Sequence, residues 1–176
     1  MAITLSAPRT VPGSQILAYG AARGDLVVPN DDLVGPIDSS DEWIRQRTGI
    51  VTRTRASAEV GVRDLSLTAA KEAIERSGIA LQTLDAIIVS TISFPYPTPS
   101  LATLLAGELG RPDVIAYDIS AACAGFAYGI GQADSLIRSG AARNVLVIGA
   151  EKLSDFVSPT DRSISFLLGE DRKSVV

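Results

Sequence analysis

Tyr117-Asp118-Ile119-Ser120-Ala121-Ala122-Cys123-Ala124-Gly125-Phe126 decides how this chain folds. Val114 to Ile119 reads as a strand. Small residues follow as a tight turn, and from about Gly125 to Arg138 Phe126, Ile130, Ala133 and Ile137 fall on one stripe at helical spacing. Gly140 stands after that helix as a C-terminal stop. The segment is therefore a strand–turn–helix junction, with Cys123 at the turn.

Working outward, the pattern repeats. Asn144 to Gly149 and Ala86-Ile87-Ile88-Val89-Ser90 are continuous apolar runs, as in strands covered on both faces. Between Ala86–Ser90 and the junction, Pro95, Pro97 and Pro99 mark a loop, and Leu101, Leu104, Leu105 and Leu109 mark a helix that Gly110 ends. Upstream, Arg63 to Ser77 reads as a helix stopped by Gly78, and Ser39-Ser40-Asp41-Glu42-Trp43-Ile44 as a capped helix start. Pro29 to Leu33 reads as a turn into a short helix, and Ile16-Leu17-Ala18-Tyr19 as a short strand. Strands alternating with helices imply an α/β fold with a mostly parallel sheet covered by helices. No internal boundary or short repeat divides the chain.

Composition narrows the function classes. The 176 residues suffice for one domain with a core, and 46% hydrophobic with 20% charged residues is ordinary for a globular protein. A net charge of −4 argues against a nucleic-acid binder. No apolar run approaches membrane-spanning length, and no leader-peptide pattern opens the chain, so a cytoplasmic protein is expected. The single cysteine fits a reducing compartment, and the absence of histidine removes any imidazole base or ligand.

A lone cysteine is by default a small buried hydrophobe. The position of Cys123 admits a second reading, although from topology alone the buried one stays favoured: a helix N-terminus presents unpaired N–H groups and a positive dipole end to the sulfur. Ala121, Ala122, Ala124 and Gly125 leave room for a thioester to approach. Sulfur both accepts and releases acyl groups readily, so acyl transfer is the chemistry that suits it.

Four segments carry a resemblance to a known family. Ser39-Ser40-Asp41-Glu42-Trp43-Ile44-Arg45-Gln46-Arg47-Thr48-Gly49-Ile50 resembles its S-D-E-W-I-x-x-R-T-G-I signature, and Asp118 to Phe126 resembles its active-site D-[VIL]-x-A-[AG]-C-[AS]-G-F. Asn144 to Ser154 and Pro159-Thr160-Asp161-Arg162 resemble a following strand–loop and a further loop motif. The family is β-ketoacyl-acyl-carrier-protein synthase III, and the resemblance runs from about Ile16 to Gly169.

The resemblance implies a thiolase-like fold of two similar halves, each a five-stranded sheet with helices, of which residues 1–170 are the N-terminal one. It implies transfer of a short acyl group from coenzyme A to cysteine, then condensation with malonyl-acyl-carrier protein and loss of CO₂. Acyl-CoA is then a substrate, with no resident cofactor or metal, and the full-length enzyme is a homodimer. Carried over by motif, Cys123 is the nucleophile, Trp43 stacks on adenine, Arg47 and Arg162 flank the nucleotide, and Ser39 is a nearby polar contact. An indole suits a purine and a guanidinium suits phosphate. From the residues alone the plainer readings are favoured, Trp43 as core and Arg47, Arg53 and Arg55 as a solvated face.

Thr98 falls where many family members carry a large aromatic at the acyl channel, which implies room for longer or branched primers. A polyketide starter-unit synthase or an acyltransferase of the same fold shares the nucleophile, and a non-catalytic fragment or partner subunit is the reading from a different class.

Two departures stand out. The family's catalytic His and Asn belong to its C-terminal half, which is absent from this sequence. After Gly169, the family's Asp-Gly-Ala-Gly-type turn and core strand give way to Glu170 and then Asp171-Arg172-Lys173-Ser174-Val175-Val176. Residues 171–176 read as an artefactual tail of the kind adapter DNA encodes. The expectation is a sheet lacking its last strand, with a bare edge and marginal stability or self-association.

Overall fold

The computed structural model describes residues 13–176, apart from the side chains of 171–174. The opening residues, on which the leader-peptide reading partly rests, lie outside the described residues. In chain order the elements are β1 (Tyr19–Arg23), β2 (Leu26–Pro29), α1 (Asp31–Ile37), α2 (Asp41–Thr48), β3 (Thr52–Arg55), α3 (Val62–Ser77), β4 (Ala86–Ser90), α4 (Leu101–Glu108), β5 (Ile115–Ile119), α5 (Gly125–Ser139), β6 (Val145–Gly149) and β7 (Asp171–Val175).

The main sheet has five strands in the order β1-β7-β6-β4-β5, and β2 and β3 form a separate hairpin. β4 runs parallel to both neighbours, pairing Ile88 with Tyr117 on one side and with Val147 on the other. Every residue of β4 is buried. Its side chains alternate: Ile87 and Val89 pack with Leu101 and Leu105 of α4, whereas Ala86 and Ile88 pack on the face that α5 covers, with Ala133 and Val147. β6 divides in the same way, Leu146 and Ile148 to one face and Val145 and Val147 to the other. At about 1.5–3 kcal/mol for each fully buried aliphatic side chain, these central strands anchor the fold.

Two expectations are corrected. The first strand is not Ile16–Tyr19 but Tyr19–Arg23. β1 alternates exposed and buried positions and sets Gly20 and Ala22 inward, whereas Ile16 and Leu17 stay on the surface. Their apolar character did not mark a buried strand.

The sheet also does not lack its last strand. Residues 171–175 form β7, antiparallel to β1 across Tyr19–Val175 and to β6 across Val147–Val175. A ladder is built from backbone N–H and C=O groups, which this segment supplies as any non-proline segment does. Val176 is buried at 7% exposure, and its carbonyl accepts from the amide of Leu17 at 2.7 Å. Among the described residues the edge strands of the sheet are β1 and β5.

Candidate functional site

β5 ends at Ile119, Ala122–Ala124 make one 3₁₀ turn, and α5 starts at Gly125. Ala122 holds φ at +45°, a left-handed conformation that costs a non-glycine residue of order 1 kcal/mol or more. This turn carries Cys123, which is exposed and in no disulfide. The default of a buried thiol fails: Cys123 is accessible beside the start of α5.

Glycine lets α5 lie flush against the sheet. A Cβ on Gly125 would fall 1.8 Å from the Ser90 hydroxyl oxygen, and one on Gly129 would fall 2.8 Å from Val147 Cγ1. Any side chain at Gly125 would push the first turn of α5, and the thiol beside it, off the end of β4.

Asp118 fixes the same junction from the other side. Its carboxylate accepts from the backbone amides of Leu101 and Ala102, both at 2.8 Å, and so closes the N-terminus of α4. Burial pushes this carboxyl up from its ordinary value, against the two amide donors that pull it down. Beside it, Thr91, Ile92, Phe94, Tyr96 and Ser120 line an open pocket of about 230 Å³ between the loop after β4 and the end of β5. Thr98 stands exposed on that loop, before the Ser100 cap of α4, and is not among the residues lining the pocket.

The second group of candidates gathers on α2 and the 158–166 loop. Ser40 caps α2, its hydroxyl accepting from the Trp43 amide at 3.1 Å. The indole of Trp43 is half-buried. Phe166 meets it edge-on, with 5.2 Å between ring centres. The Arg47 guanidinium lies over the indole 4.2 Å from its centre, and that of Arg162 lies at 5.5 Å. Arg162 also faces Asp38 at 3.8 Å, an exposed ion pair that holds it weakly. The Ser39 hydroxyl is buried without a hydrogen-bond partner among the described residues.

Three of the four expected nucleotide contacts thus meet at one aromatic ring, and Ser39 lies two residues before the helix that carries it. Among the described residues no hydrogen bond, ion pair or ring contact joins this cluster to Cys123 or Thr98. An indole with two guanidinium groups close to its ring brings an aromatic surface and two anion partners together, which suits an aromatic base bearing phosphate.

Sequence reasoning missed what lies beneath. Arg53, read there as a possible solvated residue, is 7% exposed and bonds the carbonyl of Phe166 at 2.9 Å. Asn30, 1% exposed, was not singled out. The one available signal was the alternation Thr52-Arg53-Thr54-Arg55, which puts both arginines on one face of β3.

Known proteins resemble this chain in sequence and in fold. The family model of 3-oxoacyl-[acyl-carrier-protein] synthase III matches residues 117–171. The β-ketoacyl-[acyl-carrier-protein] synthase III of Kocuria rhizophila is 58% identical over 163 residues, which are 93% of this chain and 46% of that protein. That of Tropheryma whipplei is 50% identical over 89% of this chain and 49% of its own length. Among solved structures, 3-oxoacyl-[acyl-carrier-protein] synthase III of Aquifex aeolicus superposes with a TM-score of 0.87 at 44% identity, over 91% of this chain and 52% of that one. The priming β-ketosynthase of the R1128 polyketide pathway superposes with a TM-score of 0.90 at 34% identity, over 97% and 51%. The chain spans about half the length of the curated relatives it matches. With its thiolase-like fold, the chain belongs to the β-ketoacyl-acyl-carrier-protein synthase III family and corresponds to the N-terminal half of its members.

Proposed function

We propose that this chain carries the acyl-CoA-binding and acyl-accepting part of the enzyme that starts fatty-acid chains. The observation that carries the reading is the exposed Cys123 thiol at the start of α5. Trp43, Arg47 and Arg162 hold the nucleotide of acyl-CoA by stacking and charge, with Ser39 beside them. Cys123 Sγ attacks the thioester carbonyl carbon, and the bond from that carbon to the CoA sulfur breaks. CoA leaves as the thiol, carrying the proton that Cys123 gave up. Acyl-CoA acts as a substrate, and the reading needs no resident cofactor or metal.

In the whole protein the acyl group then passes to malonyl-acyl-carrier protein with loss of CO₂. That step draws on a His and an Asn to polarise the malonyl thioester, and this chain has no histidine. The chain alone therefore stops at the acyl-cysteine. Full-length subunits pair as a homodimer in the cytoplasm, and the chain's net charge of −4 suits neither nucleic acid nor an anionic membrane. Among the described residues no helix is long and apolar enough to cross a membrane. Thr98, smaller than an aromatic, leaves the acyl channel open to longer or branched primers.

The test is to supply labelled acyl-CoA, then malonyl-acyl-carrier protein. One acyl group bound per chain and no 3-oxoacyl product is the expected result. No acyl transfer at all would leave the chain a non-catalytic fragment or partner subunit. A second reading, priming of a polyketide, is favoured by the likeness to the R1128 priming ketosynthase. It predicts that the full-length protein condenses its acyl group with the malonyl-carrier protein of a polyketide pathway in preference to that of fatty-acid synthesis.

A further inference from the structure

A buried polar chain runs beneath the Trp43 cluster and ties its two halves together. Asn30 Nδ2 donates to Asp41 Oδ1 at 2.6 Å and to the Ile50 carbonyl at 2.8 Å, on either side of α2. Asn30 Oδ1 accepts from the Arg53 guanidinium at 2.6 Å, and the same nitrogen of Arg53 donates to the Phe166 carbonyl at 2.9 Å. Two residues along β3, Arg55 donates to the Ser165 carbonyl at 2.9 Å. The Ser165 amide in turn donates to the Asp161 carbonyl at 3.0 Å, so the turn holding Arg162 is set by the carbonyls the two arginines grip.

The helix bearing Trp43 and Arg47 and the loop bearing Phe166 and Arg162 are thus connected through one asparagine and two arginines. Asn30 and Arg53 are among the few buried polar side chains, at 1% and 7% exposure. Burying a guanidinium is costly unless its donors are placed, and replacing it with an apolar side chain would fill the same space. What the polar chain adds is a fixed relation between two segments distant in sequence.

We infer that Asn30, Arg53 and Arg55 are positioning residues for coenzyme A: they hold the Arg162 loop against α2, so that Trp43, Arg47 and Arg162 are set for the nucleotide before it arrives. The inference rests on the nucleotide reading of that cluster. Its action is through Trp43 and Arg162, with no contact to the reacting thioester, so it changes affinity and leaves the acyl-transfer step alone.

Trp43 is the only tryptophan and reports on its own surroundings. Asn30→Ala removes the link outright. Asn30→Asp keeps an acceptor for Arg53 but sets a second carboxylate against Asp41. Arg55→Gln cuts only the loop side, at a half-buried position, and stands in should the Asn30 variants not fold. Each is expected to weaken CoA binding by about fivefold or more, the effect of losing one or two buried hydrogen bonds. Each is also expected to raise acrylamide quenching of Trp43 in the ligand-free protein. The rate of Cys123 acylation at saturating acyl-CoA should stay unchanged.

Folded variants with unchanged CoA affinity and unchanged quenching would overturn the inference, as would a lowered melting temperature that moves neither readout. If the unaltered chain does not respond to CoA, the nucleotide reading fails, and acrylamide quenching still decides whether the polar chain sets the Trp43 ring.

Discussion

The guanidinium of Arg47 lies over the indole of Trp43, 4.2 Å from the ring centre, one helical turn further along α2. The spacing is that of i and i+4 on one helix face, so the pair is built into the helix without help from the rest of the fold. Trp43→Leu should weaken CoA binding by about 1–3 kcal/mol, the usual worth of a base stacked on an aromatic side chain. Arg47→Ala should weaken it in a way that fades as salt is raised, because a phosphate partner is screened. Calorimetric titration at low and high ionic strength reads both. Equal CoA affinity for the unaltered chain and Trp43→Leu would remove the indole from the site.

Asp118 closes the first turn of α4 and precedes the cysteine turn on the same strand. Asp118→Ala strips the acceptor from two amides and should cost about 1–2 kcal/mol, in the range of a lost N-cap. The pH dependence has a definite sign. Burial raises the folded carboxyl above its ordinary value of 3.8. As pH rises past that value, the unfolded chain gives up its proton first and binds fewer protons than the folded one. Stability from this group is therefore full below 3.8 and is lost as pH climbs through the raised value. Asp118→Asn should flatten that component, and denaturant melts across the interval compare the two directly.

Gly125 has no room for a side chain. Gly125→Ala brings a methyl group 1.8 Å from the Ser90 oxygen, and overpacking of this kind typically costs about 1–3 kcal/mol. Because the displaced turn carries Cys123, acylation should fall more than stability does. Adding Ser90→Ala removes the clashing oxygen and should restore part of the acylation. Failure of the double variant to recover would place the effect elsewhere.

Exposed apolar side chains and an open strand edge give a prediction about association. Tyr128 is 60% exposed, Phe156 57% and Leu167 44%, and β5 has an unpaired outer edge. Such surface favours self-association. Sedimentation of the 176-residue chain should show an average mass that rises with concentration. A monomer with a sharp, concentration-independent melt would contradict this.

Much of the fold could be read from pattern because its strands are covered on both faces. Ala86–Val89 is apolar throughout, and β4 lies buried between β6 and β5. The β2–β3 hairpin could not, because Thr52-Arg53-Thr54-Arg55 sets a buried arginine where apolar alternation would be sought. Ile16 and Leu17 misled for the opposite reason, being apolar yet exposed. The tail formed β7 because a ladder asks only for a backbone that can extend.

At the site, the position of Cys123 followed from a strand meeting a helix. The meeting of Arg162 with Trp43 did not: no periodicity links residues so far apart, and only resemblance to a family pointed to both. The polar chain through Asn30 and Arg53 was invisible because buried polar side chains look in sequence like surface ones.

Every role proposed for this chain turns on whether Cys123 accepts an acyl group from coenzyme A. The direct measurement is peptide mass spectrometry after incubation with acyl-CoA, beside Cys123→Ser as control. That substitution replaces an exposed sulfur and should leave the melt unchanged. The expected result is one acyl group, on the peptide containing Cys123, released by hydroxylamine and absent from Cys123→Ser. An adduct on another residue, or none at acyl-CoA concentrations that saturate binding, would contradict it.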